Sequence, residues 1–400
     1  MDFSPSAPAR ALYERLQAFL DERVYPSEKP YQKELRRSGN PHLHAPLLEA
    51  LKKEAQDRGL WNLFMPDERF GPGLTNLDYA PIAELSGRSP LAPEALNCSA
   101  PDTGNMEILT AFGTEEQQER WLQPLLSGEI RSCFCMTEPD VASSDPTNLQ
   151  ATIMRDGAHL IVNGRKWWAT GAAHENCRVA LFMGVSRADA DRHHRHSLVL
   201  VPLDSPGVFI ARTLPVFGYD DAGGHCEIMF HDVRVPHDSL LGEDGQGFAI
   251  AQSRLGPGRI HHCMRALGLA ERALELMCRR ALQRVAFGKP LAEQGRGEEA
   301  IARSRIEIEQ ARLLVLKTAW LIDNEGQKSA RTEISAIKAA VPRVAAGVVD
   351  RAIQVHGGGG LSDDFPLAAM YAHARSLRIL DGPDEVHEMA VARRELSKHR

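Results

Sequence analysis

Hydrophobic residues recur at helical spacing through about the first 130 residues of the chain. Leu12 and Leu16, for example, are four residues apart, which places both side chains on one face of a helix. Thr114 followed by Gln117 has the pattern of a capping box, which predicts that a short helix begins there. These patterns predict an N-terminal α-helical domain over residues 1–130.

The pattern changes near residue 131, where short runs rich in β-forming residues alternate with turn signals. The predicted strands are Ala151–Met154, Leu160–Val162, Val179–Val185, Ser197–Pro202, Gly207–Thr213 and Glu227–Phe230. Asn163-Gly164 is a dipeptide typical of tight hairpin turns, and we interpret it as one. The pattern therefore predicts a middle, antiparallel β-domain over residues 131–242.

Helical spacing returns after about residue 243 and continues towards the end of the sequence. Ile260, Met264 and Leu267 share one apolar face, and later stretches have similar faces. Several long helices with one apolar face each are typical of a helix bundle, which we predict for residues 243–400. Gly256-Pro257-Gly258 lies inside the first of these helices, and we interpret it as a break. The chain is thus predicted to be an α+β multidomain protein.

Composition narrows the class of protein. The apolar share of 43% is that of a globular protein, and the net charge of −6 comes without a basic stripe. We therefore expect neither nucleic acid nor a membrane as a partner. The seven cysteines form no CxxC pair, which indicates free thiols in a reducing, cytoplasmic location. The histidines between residues 189 and 196 fit a solvated loop better than a metal site, so no metal is expected.

Two features lie close together near the end of the sequence. Gly357–Gly360 is a run of four glycines, which lets backbone N–H groups come close to an anion. Asp381 follows an apolar run and precedes Gly382-Pro383, so its carboxylate is expected at a helix end beside apolar surface. Burial there would raise the pKa of Asp381, as it does for many general bases. Taken separately, the two features fit a flexible linker and a helix cap.

Two stretches of the β-domain carry groups that suit a planar heteroaromatic ligand. Residues 134–144 run from a strand into a turn rich in hydroxyl groups, which offers both hydrogen-bond donors and acceptors. In the second stretch, strict alternation along a strand would place Trp168 and Thr170 on one side and Trp167 on the other. Each stretch alone also fits an ordinary turn or an aromatic core.

Two arginines are candidates for contacts with a ligand. Arg284 lies one turn before Gly288 at a predicted helix end, where its guanidinium would match a pyrophosphate in a bidentate manner. A surface salt bridge is the alternative for this residue. Arg259 follows the predicted helix break and would suit an anionic or polar ligand.

The whole chain resembles the acyl-CoA dehydrogenase family. The resemblance rests on CMTEPDVASSD, NGRKWWATG, RVAFGKP and QVHGGGG, which occur in this order along the sequence. It implies an N-terminal helical domain, a middle antiparallel β-barrel domain and a C-terminal four-helix bundle, assembled as homodimers or homotetramers with FAD at a subunit interface. CMTEPDVASSD, LGPGRIHH and DGPDEVH place the chain nearest to the subgroup that contains the acyl-CoA dehydrogenase portion of kinase-fused animal proteins.

The resemblance also implies roles for individual residues. The flavin and the thioester end of the substrate would be lined by Phe134, Met136, Thr137 and Ser143, and the isoalloxazine by Trp168 and Thr170. A second copy of the chain would hold the pyrophosphate and adenosine of FAD with Arg284, Phe287, Gln354 and Gly358. Pro383 and Glu385 would contact the flavin phosphate or adenine. Ser143, Arg259 and Gly382 would lie beside the substrate.

One departure from the family pattern concerns the base that removes the α-proton of an acyl-CoA. Most members have Glu-Gly-Thr where this chain has Asp381-Gly382-Pro383. Some members carry the base at a position that matches Gly258, which has no carboxylate here. Asp381 is therefore the expected general base, although its side chain is one methylene shorter than glutamate. Pro383 lacks an N–H group, so we expect the backbone N–H of Asp381 to bind the thioester oxygen.

The reaction implied is α,β-dehydrogenation of an acyl-CoA to the 2-enoyl-CoA, with electrons passed on to an electron-transferring flavoprotein. Three alternatives stay open. The first is a flavin oxidase of a small carbon acid such as a nitroalkane. The second is conversion of a 4-hydroxyacyl-CoA or its phosphate. The third is a flavin-binding scaffold without catalysis, against which the carboxylate of Asp381 argues.

Overall fold

A computed structural model of the chain describes residues 1–220 and 223–400. The N-terminal part is helical, and its helices are α1 (Ala7–Phe19), α2 (Tyr25–Ser38), α3 (Pro46–Asp57), α4 (Asn76–Ser86), α5 (Ala92–Ala95), α6 (Asp102–Phe112), α7 (Glu115–Gln117) and α8 (Gln123–Ser127). Two π-helical turns join helices, Leu20–Val24 between α1 and α2 and Gln118–Leu122 between α7 and α8.

The predicted capping box is confirmed at the start of α7. The hydroxyl of Thr114 accepts a hydrogen bond from the Gln117 N–H at 3.2 Å, and the Gln117 side-chain oxygen accepts one from the Thr114 N–H at 3.2 Å. Two N–H groups that a helix start leaves without partners are thereby satisfied. The Gln117 amide also donates to the backbone oxygens of Asp238 and Leu240, which ties this corner to the middle domain.

The middle part is a mixed sheet. Its strands are β1 (Arg131–Cys135), β2 (Thr152–Asp156), β3 (His159–Thr170), β4 (Cys177–Val185), β5 (His196–Pro202), β6 (Val208–Thr213), β7 (His225–Pro236) and β8 (Leu240–Leu241). They lie in the order β6-β7-β3-β2-β4-β5-β8, with β1 beside β4. The expected antiparallel pairing holds for most neighbours, but β1 and β2 each run parallel to β4. At least one other strand separates the members of each of these pairs along the chain, so neither pair is a hairpin, which would require the antiparallel direction.

Asn163-Gly164 is not a hairpin turn, so this prediction is wrong. Both residues lie inside β3, where the register with β7 shifts between Val162 and Gly164. The turn that joins β2 to β3 lies instead at residues 157–158. A Cβ at Gly164 would lie 2.4 Å from the Cβ of Ala151. The glycine is therefore needed for a bulge and a close strand contact, which the dipeptide alone does not distinguish from a turn.

The C-terminal part is again helical. Its elements are α9 (Gly247–Gln283), the short strands β9 (Val285–Ala286) and β10 (Lys289–Pro290), α10 (Gly295–Glu325), α11 (Arg331–His356), a 3-10 turn (Gly357–Leu361), α12 (Leu367–Ser376) and α13 (Asp384–Ser397). The order of helices, sheet and helices follows the prediction. The domain limits at residues 130/131 and 242/243 stay predictions.

The predicted break at Gly256-Pro257-Gly258 is wrong, because α9 runs through it without interruption. A proline inside a helix removes one backbone hydrogen bond, yet the packing of α9 against α4 and α11 maintains the helix. Gly256 serves close packing, since a Cβ there would lie 1.4 Å from the side-chain nitrogen of Gln327.

Two large hydrophobic cores hold the fold together, beside a small cluster of Leu321, Ala330 and Ile334. One is continuous between the N-terminal and C-terminal helices and includes Ile82, Leu109, Met264 and Val341, all fully buried. The other lies within the sheet, where Phe182 packs beside buried cysteines. All seven cysteines are free thiols, as expected. Within residues 1–220 and 223–400, no helix is both long and apolar enough to cross a membrane, and no metal-binding cluster is present.

Candidate active site

Asp381 lies in a tight turn between α12 and α13. Its φ of 54° is left-handed, which is uncommon for a residue with a side chain, and Gly382 follows at φ 104°. A Cβ at Gly382 would lie 2.8 Å from Nε2 of His387, so only glycine lets the turn pack on α13 in this way. Pro383 is the residue that precedes α13. The turn thereby fixes the direction in which the Asp381 carboxylate leaves the backbone.

Side-chain N–H groups hold the backbone oxygens of this turn. Arg259 donates from Nε to the Asp381 carbonyl oxygen at 3.1 Å, and His387 donates from Nε2 to the same oxygen at 3.2 Å. The buried amine of Lys338 donates to the Leu377 oxygen at 2.5 Å and, at 3.5 Å, to the Gly382 oxygen. The turn is therefore attached to α9, α11 and α13 through its main chain.

The carboxylate of Asp384, three residues on, closes the turn from the other side. It accepts hydrogen bonds from Arg378 at 2.7 Å and from Arg343 of α11 at 2.9 Å. These bonds fasten the start of α13 to the end of α12 and to α11.

The carboxylate of Asp381 faces α9. Its Oδ2 lies 3.3 Å from Nε2 of His262, and a Cβ built on Gly258 would lie 3.7 Å from the same oxygen. Burial alone would raise the pKa of Asp381, but its interactions with His262, Arg254, Lys338 and Arg259 outweigh burial and hold the pKa below its ordinary value. The expectation of a raised pKa is therefore wrong for the free protein, because the sequence did not reveal how many cations surround this group.

Arg254 connects the Asp381 region to the first strand of the sheet. Its guanidinium lies over the ring of Phe134, 4.2 Å from the ring centre, and its Nε donates to the side-chain oxygen of Asn105 at 2.9 Å. Asn105 in turn donates to the hydroxyl of Ser132 on β1 at 2.9 Å. Phe134 is thus placed beside the Asp381 region.

The predicted cofactor residues of the middle domain lie together. The backbone N–H of Trp167 donates to the Thr137 backbone oxygen at 3.0 Å, and the buried Lys166 amine donates to the Met136 backbone oxygen at 2.9 Å. The hydroxyl of Ser143 accepts from the Glu138 N–H at 2.9 Å. The end of β1 and the turn after it are thereby held against β3, next to Trp168.

The predicted alternation holds for Trp168 and Thr170, which share a side of β3, but is wrong for Trp167. The register between β3 and β7 shifts between Lys166 and Ala169, and Trp168 has a φ of 54°. Lys166 and Ala169 are both fully buried, so the two tryptophans between them point away from the core. Trp168 lies beside the ring of His225, to whose Nδ1 the hydroxyl of Thr170 is hydrogen-bonded at 2.9 Å.

The remaining predicted site residues lie elsewhere. Arg284 ends α9, and α9 rises 1.5 Å per residue, so Arg284 lies roughly 37 Å along the helix from Arg259. Phe287 is 100% exposed, and Gln354, Gly358 and Glu385 are exposed as well. The structure therefore places Arg284 far from Asp381 along α9, whereas Glu385 lies in the first turn of α13, directly after Asp384 of the Asp381 turn.

Comparison of the chain with known protein families identifies the family to which it belongs. Models of the acyl-CoA dehydrogenase N-terminal, middle and C-terminal domains match residues 6–129, 133–233 and 245–396. The chain belongs to the acyl-CoA dehydrogenase family. This result confirms the predicted family and fold class, and the protein is an FAD-dependent oxidoreductase.

Individual relatives are similar over the whole chain. A Mycobacterium tuberculosis protein named as the acyl-CoA dehydrogenase FadE2 is 59% identical, over 100% of this chain and 98% of its own length. Acyl-CoA dehydrogenase family member 10 of Mus musculus is 53% identical over 98% of this chain, which spans only 37% of that protein. A structure described as an acyl-CoA dehydrogenase from Mycobacterium abscessus has a TM-score of 0.96 at 52% identity, covering 99% of this chain and 100% of its own.

The residues present fit the cofactor of this acyl-CoA dehydrogenase. The β3 bulge turns two indole rings away from the core, and the buried Nε1 of Trp167 has no partner among the described residues. The ring of Phe287 projects fully into the surroundings. Apolar rings left uncovered beside backbone donors suit a flavin and an adenine better than they suit water.

Sequence reasoning missed four residues of this site: Arg254, His262, Lys338 and His387. A signal existed for Lys338, because a lysine among Ile334, Ile337 and Val341 must be buried or break the apolar face. His262 carried a weaker signal, since it lies one helical turn after Gly258. Arg254 and His387 gave none, because their placement depends on contacts with residues far away in the sequence.

A small cavity lies beside α9 at Pro257 and His261. It has a volume of about 80 Å³, and its lining includes Tyr79, Glu107, Pro257 and His261. The buried Oε2 of Glu107 has no partner among the described residues. Burial raises the pKa of Glu107 to about 8, although Arg254 acts in the opposite direction. Glu107 is therefore mostly a neutral carboxylic acid at pH 7.

Proposed function

We propose that this acyl-CoA dehydrogenase removes hydrogen from the α- and β-carbons of an acyl-CoA thioester, with Asp381 as the general base. The observation that carries the proposal is the position of the Asp381 carboxylate, which points from a rigid turn towards α9 and lies next to the residues around Phe134. A base held on a rigid backbone can meet the α-proton with little loss of entropy.

The charge state of Asp381 suits this role. Its lowered pKa keeps the carboxylate ionised in the free protein at neutral pH, so it is ready to accept a proton. An acyl chain bound beside it would displace water and raise the pKa of Asp381 towards the working pH. The backbone N–H of Asp381 stays the predicted donor to the thioester oxygen, since Pro383 has no N–H to offer.

Residues of the middle domain and of the C-terminal part would hold FAD. Phe134, Met136, Thr137, Ser143, Trp168 and Thr170 would bind the flavin end, and Arg284, Phe287, Gln354, Gly358, Pro383 and Glu385 the phosphates and adenosine. When bound, FAD supplies the acceptor for the hydride that leaves the β-carbon. Arg259 and Gly382, beside the base, would contact the thioester end of the substrate.

The separation of these residues favours a homodimer or homotetramer. Arg259, beside the base, and Arg284 of the same chain lie roughly 37 Å apart along α9, so one chain is not expected to supply both the substrate end and the phosphate end of one site. Two copies would supply the flavin end and the phosphate end of each site. An electron-transferring flavoprotein as the acceptor of the electrons and a cytoplasmic location also stay predictions.

The test is anaerobic mixing of the FAD-loaded enzyme with a panel of acyl-CoAs while the flavin absorbance is followed. We expect bleaching with at least one thioester, and no bleaching by the Asp381→Asn variant, which should still retain FAD. Full activity of this variant would remove Asp381 from the mechanism. Peroxide formation with nitroalkanes in air would support the oxidase, and a bound flavin inert to every compound would support a scaffold.

A second candidate is a 4-hydroxyacyl-CoA or its phosphate. The charge of the site favours it, because the basic residues Arg254, Arg259 and Lys338 all lie close enough to Asp381 to interact with its carboxylate. Arg254 is buried, and its bonds within the described residues go to Asn105 and the Pro101 oxygen rather than to a carboxylate. An added hydroxyl or phosphate on the acyl chain would give this guanidinium a partner. Faster bleaching by a 4-hydroxyacyl-CoA or its phosphate than by the unsubstituted chain would support this candidate.

A further inference from the structure

One imidazole stands directly beside the candidate base. His262 lies on α9 one helical turn after Gly258, and its Nε2 is 3.3 Å from Oδ2 of Asp381. Its side chain is 16% exposed and that of Asp381 18%, so bulk water has little access to the contact between them. The glycine at 258 leaves the space through which the two side chains meet.

The second ring nitrogen of His262 reveals which nitrogen carries the proton. Arg265 contacts His262 Nδ1 through Nη2 at 3.3 Å, and its Nη1 donates to the Cys98 oxygen at 3.3 Å. A guanidinium can only donate, so Nδ1 must accept. Burial lowers the pKa of His262 to about 3, more than Asp381 opposes it. The ring is therefore neutral near pH 7, with its one proton on Nε2, directed at Asp381.

We propose that His262 is a positioning residue for the general base: it donates from Nε2 to Asp381 Oδ2 and thereby presents Oδ1 to the α-proton of the substrate. This inference rests on the proposed function of Asp381. It adds a chain of contacts from the Cys98 oxygen through Arg265 and His262 to the carboxylate.

The short side chain of Asp381 explains why such a residue is needed. An aspartate has one rotatable bond fewer than a glutamate, so it reaches a given point only from a suitable backbone and carboxylate orientation. The φ of 54° at Asp381 supplies the backbone direction. A donor on Oδ2 supplies the orientation of the carboxylate plane, as supporting residues do in other active sites.

The proton step then balances simply. The α-C–H bond breaks, its electron pair stays on the substrate, and an O–H bond forms at Oδ1 of Asp381. His262 keeps its own proton throughout, because Nδ1 is occupied by Arg265. The base is thus Asp381 alone, and the imidazole neither gains nor loses charge.

Other charged or titratable groups also face this pair. The groups that face Asp381 are Arg254, Arg259 and His262 from α9, Lys338 from α11 and His387 from α13. The further groups that face His262 are Arg265 from α9, Lys338 from α11 and His373 from α12. None of the groups from α11, α12 or α13 changes in the variants below, so a shift that follows the substitution belongs to the removed donor.

The experiment compares His262→Leu, which removes the donor, with His262→Gln, whose amide N–H has a similar reach. His261→Leu is the matched control, because this neighbouring buried histidine packs against Tyr79 rather than against Asp381. Each FAD-loaded variant is mixed anaerobically with a saturating acyl-CoA that bleaches the wild type, and the rate of bleaching is followed from pH 5 to 9.

Loss of a donor to a carboxylate raises its pKa, so the acid limb of the His262→Leu profile should move to higher pH. We expect about one pH unit, which makes this variant about tenfold slower on the acid side. His262→Gln should keep the wild-type limb to within a few tenths of a unit, and His261→Leu should not shift it. Arg265→Met, which frees Nδ1, should move the limb in the same direction as His262→Leu.

The positioning role would be overturned if the acid limb of the His262→Leu pH profile lay at the wild-type pH. It would also be overturned if the bleaching rates of the Gln and Leu variants fell by the same factor. If His262→Leu does not fold, a wild-type limb in Arg265→Met would overturn it instead. Failure of the underlying function is distinguishable, since Asp381→Asn would then bleach as fast as the wild type. An unshifted His262→Leu limb together with an inert Asp381→Asn would refute only the positioning role.

Discussion

Gly258 of α9 faces Asp381, and a Cβ on this glycine would lie 3.7 Å from Oδ2 of the carboxylate. A side chain at position 258 would therefore reach the same small region of the site as the side chain of Asp381. Because Gly258 lies inside a regular helix, a side chain there meets no backbone strain.

We predict that a glutamate at position 258 can replace the missing base. Asp381→Asn alone should bleach at least a thousandfold more slowly than the wild type, and Gly258→Glu combined with Asp381→Asn should recover about tenfold or more of that loss. Single-turnover bleaching by an acyl-CoA measures both. Gly258→Ala in the Asp381→Asn background is the control, and equal rates for the Ala and Glu forms would show that the two positions do not share a target.

Gly382 is predicted to be irreplaceable for a steric reason. Its φ of 104° and the 2.8 Å approach of a Cβ to His387 Nε2 both oppose a side chain. Gly382→Ala should lower the free energy of unfolding by about 2–3 kcal/mol and slow bleaching as well. Gly326→Ala separates the two causes, because Gly326 has a φ of 83° and no atom within 4 Å of its Cβ position. Urea unfolding of both variants should show the larger loss at Gly382, and equal losses would contradict the clash.

Glu107 should make the stability of the fold depend on pH. Its pKa is about 8 when folded, against an ordinary value of 4.5, so the folded protein binds the proton more tightly than the unfolded chain. The free energy of unfolding therefore falls as the pH rises from about 4.5 to 8, by about 3–5 kcal/mol in all.

The variant Glu107→Gln should lack this dependence, because its amide stays neutral. Urea unfolding at pH 5 should give similar stabilities for the variant and the wild type, and at pH 8.5 the variant should be the more stable. Glu14→Gln on the exposed face of α1 is the control. A constant difference between Glu107→Gln and the wild type at both pH values would contradict a neutral Glu107.

Arg284 is predicted to retain FAD through its phosphates. It is exposed at the end of α9, so Arg284→Ala should cost little stability but should lower the FAD content after gel filtration at least several-fold. Arg279→Ala, one turn earlier, removes another exposed arginine, which pairs with Glu275. Both variants should fold alike, and an equal FAD content in the two would place the phosphates elsewhere.

Patterns along the chain predicted those parts of the fold that depend on neighbouring residues. The capping box at Thr114 and the apolar faces of α9 and α11 were correct, since helix geometry fixes which side chains meet. Asn163-Gly164 and Gly256-Pro257-Gly258 were misread, because Gly164 is required by a close contact with Ala151 and Gly256 by a close contact with Gln327. Local signals for a turn or a break cannot be told apart from signals for close packing.

Prediction of the site was limited in the same way, to features that neighbouring residues determine. Asp381 was recognisable because three consecutive residues, Asp381-Gly382-Pro383, indicate the turn. The surroundings that set its pKa come from α9, α11 and α13, and no spacing rule connects Arg254 or Lys338 to residue 381. The direction of that pKa was therefore beyond the sequence, whereas the identity of the candidate base was not.

The backbone oxygens of the Asp381 turn have one more consequence. Lys338, Arg259 and His387 direct their hydrogen bonds at main-chain carbonyls, and Arg254 directs its own at Asn105 and Pro101. None of these bonds has to open when the acid side chain changes between its charged and neutral forms. Repeated cycles of proton uptake and release can therefore proceed while these backbone hydrogen bonds stay in place, and the imidazole of His262 on α9 contacts the carboxylate directly.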